Sequence, residues 1–447
     1  MTRSTLLVAS SLVCVIVGLS GVSPQVMAQS DAVPPYLKQY IEKPEPDFRW
    51  SLIETTQVNT SKVYQLELVS QKWQDIVWKH PLTVFEPEKV LYPHHMILFV
   101  TGGSTGKKNK PHEQQIGLGL AELSGARVAM LYHVPNQPLL GNRHEDDLIS
   151  ETWLRYLKTG DPDWPLLFPM AKSAVKAMDA LQEFSRKQFQ TEIQGFVTTG
   201  ASKRGWTSWL VPAVDDRVIG TAPMVIDVLN FSAQMKHQKK NWGFFSEQIS
   251  DYTTKGLVTD DGVPNGEREE KLWKMMDPYS YRQQVTVPKL LVVGANDRYW
   301  STDAMNLYWD DLSGEKYACR IANAGHNLDD GKLSQSFVIQ NVAIFFRHVV
   351  ENKPLPQIEW TSTGDDNQLG LSITSSTKPI TVRLWSARSE NLDFRSSKWK
   401  ATILTESNGT YTGSTELKSG EHQAIYGEVT FGNEIVPYSL STLVYLK

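Results

Sequence analysis

Continuous apolar runs alternate with helical segments between residues 96 and 350, and this alternation constrains the fold more than any other feature. Strands buried on both faces form unbroken apolar runs, as in a parallel sheet covered by helices. The sequence therefore predicts a mostly parallel sheet with helices on both faces. The predicted strands of this kind lie at residues 96–100, 127–132, 193–199, 218–228, 288–293 and 316–322.

Two segments depart from this alternation. Residues 230–285 carry aromatic and charged patches, which predicts an inserted helical cap. Short alternating runs separated by turn residues fill residues 356–447 and predict a small β-sandwich. We therefore predict a main domain at residues 29–355 followed by this C-terminal domain.

Residues 1–28 have the pattern of an export signal. A basic start at Met1-Thr-Arg3 is followed by an apolar run from Thr5 to Gly21 and by small residues around Ala28. No basic stop-transfer cluster follows, which favours a cleaved signal over a membrane anchor. We expect a periplasmic or secreted protein with no stable membrane span after cleavage.

Composition excludes several classes of protein. The 45 basic and 49 acidic residues give a formal net charge of −4, which argues against a nucleic-acid partner. Two cysteines cannot form a disulfide framework or a Cys-rich zinc site. His94 and His95 have no partners at metal-ligand spacing, so we predict no metal and no cofactor. The expected partner is a small-molecule or peptide substrate, and the oligomeric state stays open.

Ser202, Asp297 and His326 each follow a predicted parallel strand. The order Ser, acid, His is that of an α/β-hydrolase, and such strand ends meet at one edge of the sheet. A serine hydroxyl needs a base to take its proton, and the imidazole needs a carboxylate to fix its tautomer. We predict these three as a catalytic triad in an α/β-hydrolase fold, with Asp227 as the alternative acid.

The segment around Ser202 resembles a nucleophile elbow. Arg204 stands where Gly-x-Ser-x-Gly has its second glycine, and Gly205 comes one residue later. We expect the N–H of Lys203, at the start of a helix, to donate to an oxyanion. The second donor is expected at Gly103, in the loop after an earlier strand.

Acidic and aromatic residues near this region are candidates for substrate binding. Carboxylates could hold a cationic group and aromatic rings could form apolar walls. An acidic run before a helix can equally cap that helix, and Arg143 with the nearby acids can form a structural ion-pair cluster. The candidates are Glu145, Asp161, Trp164, Trp206 and Tyr299.

Long motifs resemble the PhoPQ-activated pathogenicity-related protein family. The resemblance implies an exported α/β-hydrolase-like protein and a role in resistance to cationic antimicrobial peptides or in virulence. The Ser202-Lys-Arg-Gly205 turn is also similar to the Ser-Arg-x-Gly turn of glucuronoyl esterases, where a basic residue assists the oxyanion or binds a carboxylate. The family motifs are Gly141–Asp147, Tyr156–Asp161, Pro169–Asp179, Gly200–Trp206 and Val225–Asn230.

These features together predict a serine hydrolase. We narrowly favour a peptidase over a carboxylesterase, because the acidic segment and the β-sandwich could serve peptide binding. An inert binding or signalling protein on a hydrolase scaffold and a glucuronoyl-type carbohydrate esterase are the alternatives. Trp385 and Trp399 are candidates for anchoring the C-terminal domain to a surface glycan by stacking, but core packing is the favoured interpretation of both residues.

Overall fold

The computed structural model describes Met1 and residues 32–331, 334–365, 367–433 and 435–447. Pro34–Lys447 form one compact unit. The predicted export signal falls on residues that lie outside the described ranges, apart from Met1. None of the described helices combines the length and the apolar character that a bilayer span requires.

The largest sheet in the described ranges has nine strands. Their bounds are β1 Arg49–Val58, β2 Ser61–Trp73, β3 Ile76–Glu86, β4 His95–Val100, β5 Arg127–Leu131, β6 Gly195–Ala201, β7 Val218–Met224, β8 Lys289–Gly294 and β9 Lys316–Ile321. The spatial order is β1-β2-β3-β5-β4-β6-β7-β8-β9, antiparallel from β1 to β5 and parallel from β5 to β9. The predicted α/β-hydrolase fold is confirmed.

Helices cover the sheet in two groups, one formed by α2 and α9 and the other by α1, α4 and α5. The helices are α1 Tyr36–Ile41, α2 Pro111–Ser124, α3 Glu145–Thr159, α4 Leu167–Phe189, α5 Lys203–Leu210, α6 Phe231–Trp242, α7 Ser250–Thr253, α8 Glu267–Met276 and α9 Ser334–Val350. Val128 and Met130 of β5 join one buried cluster with Leu120 of α2 and Phe345 of α9. Successive side chains of a strand point to opposite faces, so the intervening residues face the other layer.

The predicted cap corresponds to α6, α7 and α8, which lie between β7 and β8 in the chain. Asp277 ties the two ends of this insertion together. Its buried carboxylate accepts hydrogen bonds from the backbone N–H groups of Phe231 (2.7 Å), Tyr279 (2.9 Å) and Asn230 (3.2 Å). The cap is thereby closed at its base, next to the end of β7.

The C-terminal strands form two antiparallel sheets. Their bounds are β10 Ile358–Asp365, β11 Gln368–Ser375, β12 Thr381–Ser389, β13 Lys400–Ile403, β14 Glu406–Ser407, β15 Thr410–Glu416, β16 His422–Gly432, β17 Pro437–Ser441 and β18 Tyr445–Leu446. One sheet has the order β10-β11-β15-β14, and the other has β13-β12-β16-β17 with β18 beside β16. Ile373, Leu384 and Ile425 share a buried cluster with Ile97 of the large sheet. The division into two domains at residue 356 stays a prediction.

Two segments differ from the sequence prediction. The proline-rich, polar start of residues 31–60 predicts a lead-in segment, but Arg49–Val58 forms the edge strand β1, most of whose residues are exposed. The sequence pattern predicts a continuous helix from Ala304 to Leu312, but the chain forms two short 3₁₀ turns, Ala304–Leu307 and Trp309–Asp311. Tyr308 separates them with a φ of −147°, and its hydroxyl is held by the buried carboxylate of Asp227.

The C-terminal strands support two loops that leave the large sheet. The side-chain amide of Asn296, after β8, lies within hydrogen-bond distance of the carbonyls of Phe394 (3.1 Å), Arg395 (3.3 Å) and Ser397 (2.7 Å). Asn323, after β9, exchanges two hydrogen bonds with the backbone of Trp399, at 2.8 and 3.1 Å. The segment between β12 and β13 therefore fixes both loops.

Replacing Asn296 by alanine should therefore destabilise the whole unit. Three buried or half-buried carbonyls would lose their donor, and we expect the free energy of unfolding to fall by about 1–3 kcal/mol. Asn306→Ala is the matched control, because Asn306 donates to a single C-terminal carbonyl, that of Val444 at 2.7 Å. Urea unfolding of the three proteins measures both changes. An equal loss in the two variants would contradict the role given to Asn296.

Candidate active site

Ser202 lies at a sharp turn between β6 and α5. Its φ of 58° and ψ of −125° are strained for a residue with a side chain. The N–H of Ser202 donates to the carbonyl of Met224 at 2.9 Å, and the carbonyl of Ser202 accepts from the N–H of Trp206 at 2.9 Å. This turn has the backbone geometry that the predicted nucleophile elbow requires.

Two glycines allow the strand and the helix to approach closely at this turn. A Cβ on Gly200 would lie 2.8 Å from the carbonyl oxygens of both Val100 and Arg204. A Cβ on Gly205 would lie 2.8 Å from the carbonyl oxygen of Met224 and 3.0 Å from that of Gly200. Gly205 therefore provides the close approach to β7, although it stands one residue later than the second glycine of Gly-x-Ser-x-Gly.

Ser202, His326 and Asp297 lie in direct contact. The Oγ of Ser202 is 2.9 Å from Nε2 of His326, and Nδ1 of His326 is 2.8 Å from Oδ2 of Asp297. The other oxygen of Asp297 accepts the backbone N–H of Tyr299 at 2.9 Å. The ring of Tyr299 packs on the imidazole with 4.3 Å between the centroids, so both the carboxylate and the imidazole are fixed in place.

The alternative acid, Asp227, lies elsewhere. Its buried carboxylate accepts a hydrogen bond from the hydroxyl of Tyr308. Burial raises the pKa of Asp227 to about 6, although the charge of Arg320 and the hydrogen bond from Tyr308 oppose the rise. The structure brings Asp297, not Asp227, to the imidazole.

The predicted oxyanion loop is oriented by the segment that follows β5. The carbonyl of Gly102 accepts the N–H of His133 at 2.8 Å, and the carbonyl of Gly103 accepts the side-chain amide of Gln137 at 2.9 Å. In a trans peptide the N–H points opposite to the carbonyl. The N–H groups of Gly103 and Ser104 therefore point away from residues 133–137.

The N–H of Lys203 supplies the other predicted donor. Lys203 is the first residue of α5, and the first amides of a helix have no acceptor within the helix. The partial positive charge at this helix end favours an anion. Lys203 directly follows Ser202, and Gly103 lines the same cleft as Ser202, so both predicted donors belong to backbone segments at this site.

Arg204 and Glu145 form a brace behind the oxyanion loop, in which the guanidinium is buried and the carboxylate is half-buried. The guanidinium of Arg204 binds both carboxylate oxygens of Glu145, at 2.7 and 2.8 Å. It also lies against Gly102, where a Cβ would come within 2.6 Å of Nη2. Gln137 connects the two parts, since its amide donates to Glu145 at 2.7 Å as well as to Gly103. We find no feature of the sequence that singles out Gln137 for this position.

The other acidic residues of this segment are also paired within the molecule. Asp146 accepts Nζ of Lys203 at 2.8 Å and the hydroxyl of Tyr252 at 3.0 Å. Asp147 binds Arg143 at 2.9 Å and also Lys255 at 2.5 Å. The carboxylates are thus part of an intramolecular ion-pair cluster, which the sequence analysis gave as an alternative to substrate binding.

Two spaces open beside Ser202, and we name them the slot and the cleft. The slot has a volume of about 20 Å³ and is lined by Asp146, Ser202, Lys203, Trp206, Ile226, Phe231, Ile249, Tyr252, Tyr299, Trp300 and His326. The cleft has a volume of about 630 Å³ and is lined by residues 99–104, 107–110, 113, 132–133, 137, 144–145, 201–202 and 204. Trp206 and Tyr299, both predicted to bind substrate, line the slot, and Glu145 lines the cleft.

Asp161 and Trp164 were predicted to bind substrate, but the structure does not place them at this site. Asp161 lies just after α3, where its carboxylate accepts the backbone N–H of Asp163 at 3.0 Å. Trp164 packs edge-on against Trp73 at 5.8 Å and under the guanidinium of Arg155 at 4.8 Å. Neither residue lines the slot or the cleft, since both follow the C-terminal end of α3, whereas the first two residues of that helix, Glu145 and Asp146, line these spaces.

The charge of Glu145 should be visible in the pH dependence of stability. Burial raises the pKa of Glu145, but the charge and hydrogen bonds of Arg204 outweigh it and lower the pKa from 4.5 to about 2. The stabilisation is therefore complete above pH 4.5 and is lost as the pH falls through about 2. We expect Glu145→Gln to lower the free energy of unfolding most above pH 4.5 and least near pH 2.

Urea unfolding of both proteins between pH 7 and pH 2 measures this difference. Glu359→Gln, at an exposed position of β10, controls for the loss of one negative charge. A deficit in Glu145→Gln that stays constant over this range would contradict the prediction.

Comparisons with known proteins extend over most of the chain. The protein is 33% identical over 381 residues to autocrine proliferation repressor protein A of Dictyostelium discoideum. The matched region covers 80% of this chain and 76% of the relative. Similar solved structures include acetyl xylan esterase 1 from Thermoanaerobacterium, with a TM-score of 0.48, 14% identity and coverage of 68% of this chain and 92% of the other. Another is the acylaminoacyl peptidase of Pyrococcus horikoshii, with a TM-score of 0.41, 13% identity and coverage of 67% and 49%. Residues 37–395 match the family described as PhoPQ-activated pathogenicity-related protein, and the chain belongs to that family.

Proposed function

We propose that this protein is an exported serine hydrolase that cleaves carboxylic esters or peptide bonds through an acyl-enzyme. The observation that carries the proposal is the unbroken contact from Ser202 through His326 to Asp297, with an open cleft beside the hydroxyl. Export is supported by the sequence of residues 1–28 alone.

In the acylation step, Ser202 Oγ attacks the acyl carbon. An imidazole whose Nδ1–H donates to Asp297 leaves Nε2 free to accept the serine proton, and the carboxylate stabilises the imidazolium that forms. The N–H groups of Lys203 and of the Gly103 loop would stabilise the negative charge on the former carbonyl oxygen. Each such donor typically contributes about 3–4 kcal/mol to the transition state.

The tetrahedral intermediate then collapses to an acyl-enzyme, and water hydrolyses the acyl-enzyme in a second step. His326 returns its proton to the leaving oxygen or nitrogen, the bond to the acyl carbon breaks, and the acyl group stays on Ser202. A water molecule attacks the acyl carbon while His326 takes its proton. The bond to Ser202 Oγ breaks, the serine regains its proton, and a carboxylic acid is released.

The ion pairs of Glu145 and Asp146 weaken the preference for a peptide substrate. The preference for a peptidase rested partly on acidic residues available to a cationic peptide. Glu145 and Asp146 are occupied by Arg204 and Lys203, so they offer no support for that preference. The proposed substrates therefore include both carboxylic esters and peptide amides.

Ser202→Ala provides the principal test. We expect a fluorophosphonate probe to label Ser202 in the wild-type protein, and a panel of acetyl, glucuronoyl and aminoacyl substrates to show a hydrolysed member. We expect Ser202→Ala to show no labelling and a kcat lower by at least about 10³-fold. Among the described residues, no other hydroxyl forms a hydrogen bond with the imidazole of His326. Ser376→Ala, at an exposed turn, is the control. Failure of the wild-type protein to be labelled would support the inert binding scaffold instead.

The identity of the acid is tested by a matched pair of substitutions. Asp297→Asn removes the charge that fixes the tautomer of His326, and we expect the labelling rate at Ser202 to fall by about 10³–10⁴-fold. Asp227→Asn removes a buried carboxylate that contacts Tyr308, and it should change the labelling rate of folded protein by less than about tenfold. A larger effect of Asp227→Asn, measured at equal folded fraction by near-ultraviolet circular dichroism, would reverse the assignment.

A further inference from the structure

We propose that the slot beside Ser202 selects a short acyl group, of acetyl or propionyl size. This inference rests on the proposed function, because it concerns the acyl group that Ser202 would carry. The slot shares Ser202 and His326 with the triad, so whatever fills it lies next to the reacting carbon. Its remaining walls are mostly aromatic and aliphatic side chains.

The volume of the slot sets the limit on chain length. A cavity needs about 10–15 Å³ on the same measure to hold one water molecule, which is close to a methyl group in size. The slot, at about 20 Å³, therefore has room for one or two carbon atoms. A butyryl or longer chain would have to displace the walls.

The walls are not free to move aside. Trp206, Phe231 and Trp300 are each at least 95% buried. Trp206 is held by a hydrogen bond of 2.7 Å from its indole N–H to the carbonyl of Met276. Cores packed to this degree resist added methylene groups, because room for them is made only by forcing side chains out of their favoured rotamers and shifting the backbone.

A second layer of aromatic rings supports these walls. Trp153 packs edge-on against Trp206, with 6.0 Å between the ring centroids, and in a tilted arrangement against Tyr252 at 5.2 Å. Trp273 stacks on Phe231 with the ring centroids 4.0 Å apart. The slot is thus the inner surface of a two-layer aromatic cluster formed between α3, α5 and the cap.

The geometry assigns the acyl chain to the slot and the leaving group to the cleft. The leaving group must depart, and water must enter, while the acyl group is still bound to Ser202. The cleft of about 630 Å³ provides that route, whereas a leaving group in the slot would be surrounded by buried rings. The cleft also carries the predicted oxyanion loop, which must stay beside the acyl carbon throughout.

A series of 4-nitrophenyl esters tests the inference, because the leaving group stays constant while the acyl chain grows. We expect kcat/KM to be highest for acetate and propionate and to fall about tenfold or more on going to butyrate and again to hexanoate. One methylene group in an apolar pocket changes kcat/KM by about 10–200-fold. Similar kcat/KM values across the series, or a maximum at hexanoate, would overturn the proposal.

Ile249→Ala should shift this preference toward longer chains. Ile249 lines the slot from the cap and is 2% exposed, so its truncation enlarges the space without touching the triad. We expect the butyrate-to-acetate ratio of kcat/KM to rise at least about tenfold. Ile373→Ala removes the same volume from β11, where the side chain is fully buried and does not line the slot, and should leave the ratio unchanged. Partial unfolding lowers kcat/KM for both esters by the same factor and leaves the butyrate-to-acetate ratio unaffected. An unchanged ratio in Ile249→Ala would therefore contradict the proposal.

Labelling with 4-nitrophenyl alkylphosphonates separates this inference from the proposed function. Methyl- and ethylphosphonates should react with Ser202 faster than the butyl compound, and Ile249→Ala should narrow the difference. Labelling at one rate for all chain lengths would overturn the size limit and leave the hydrolase proposal intact. No labelling by any member would overturn the hydrolase proposal and, with it, the inference.

Discussion

The strained backbone of Ser202 is the constraint on which the rest of the site depends. A non-glycine residue at a φ of 58° and a ψ of −125° costs about 1–3 kcal/mol and persists only where its surroundings fix it. Here Gly200 and Gly205 let β6, α5 and β7 approach to distances that a Cβ would prevent. This packing exposes the hydroxyl at the end of the sheet, and it places the first amides of α5 beside the hydroxyl.

The C-terminal strands support the candidate site as well as the core. The loop that carries Asp297 and the loop that carries His326 are held by neighbouring parts of one segment, residues 394–399. The two loops also contact each other, since a Cβ on Gly294 would lie 2.5 Å from the carbonyl oxygen of Ala324. The imidazole–carboxylate distance therefore depends on residues that the sequence assigned to a separate domain.

The sequence allowed the mostly parallel sheet and the contact of Ser202, His326 and Asp297 to be predicted, because both follow from local patterns. Apolar runs identify strands buried on both faces, and the residue after each run lies at the edge where such strands end. The edge strand β1 lacks such a run, since most of its residues are exposed, and it was missed. Asp161 and Trp164 were misplaced because their positions depend on the direction of α3, which no local pattern determines.

The brace around Arg204 shows a second limit of local patterns. Charge alone made Glu145 a candidate for binding a substrate, but its partners, Arg204 and Gln137, lie 59 and 8 residues away in the chain. The tertiary fold, and not a local sequence pattern, determines which of these side chains pair. It also leaves the Glu145 charge compensated by Arg204, so that the other charged side chains lining the cleft are three lysines, Lys107, Lys108 and Lys110, and one carboxylate, Glu113. The two sides of Ser202 thus differ in both size and polarity, with buried aromatic rings on one side and a wide basic cleft on the other. An enzyme built on this site would hold a small apolar group rigidly and leave the larger, polar part of its substrate in contact with water.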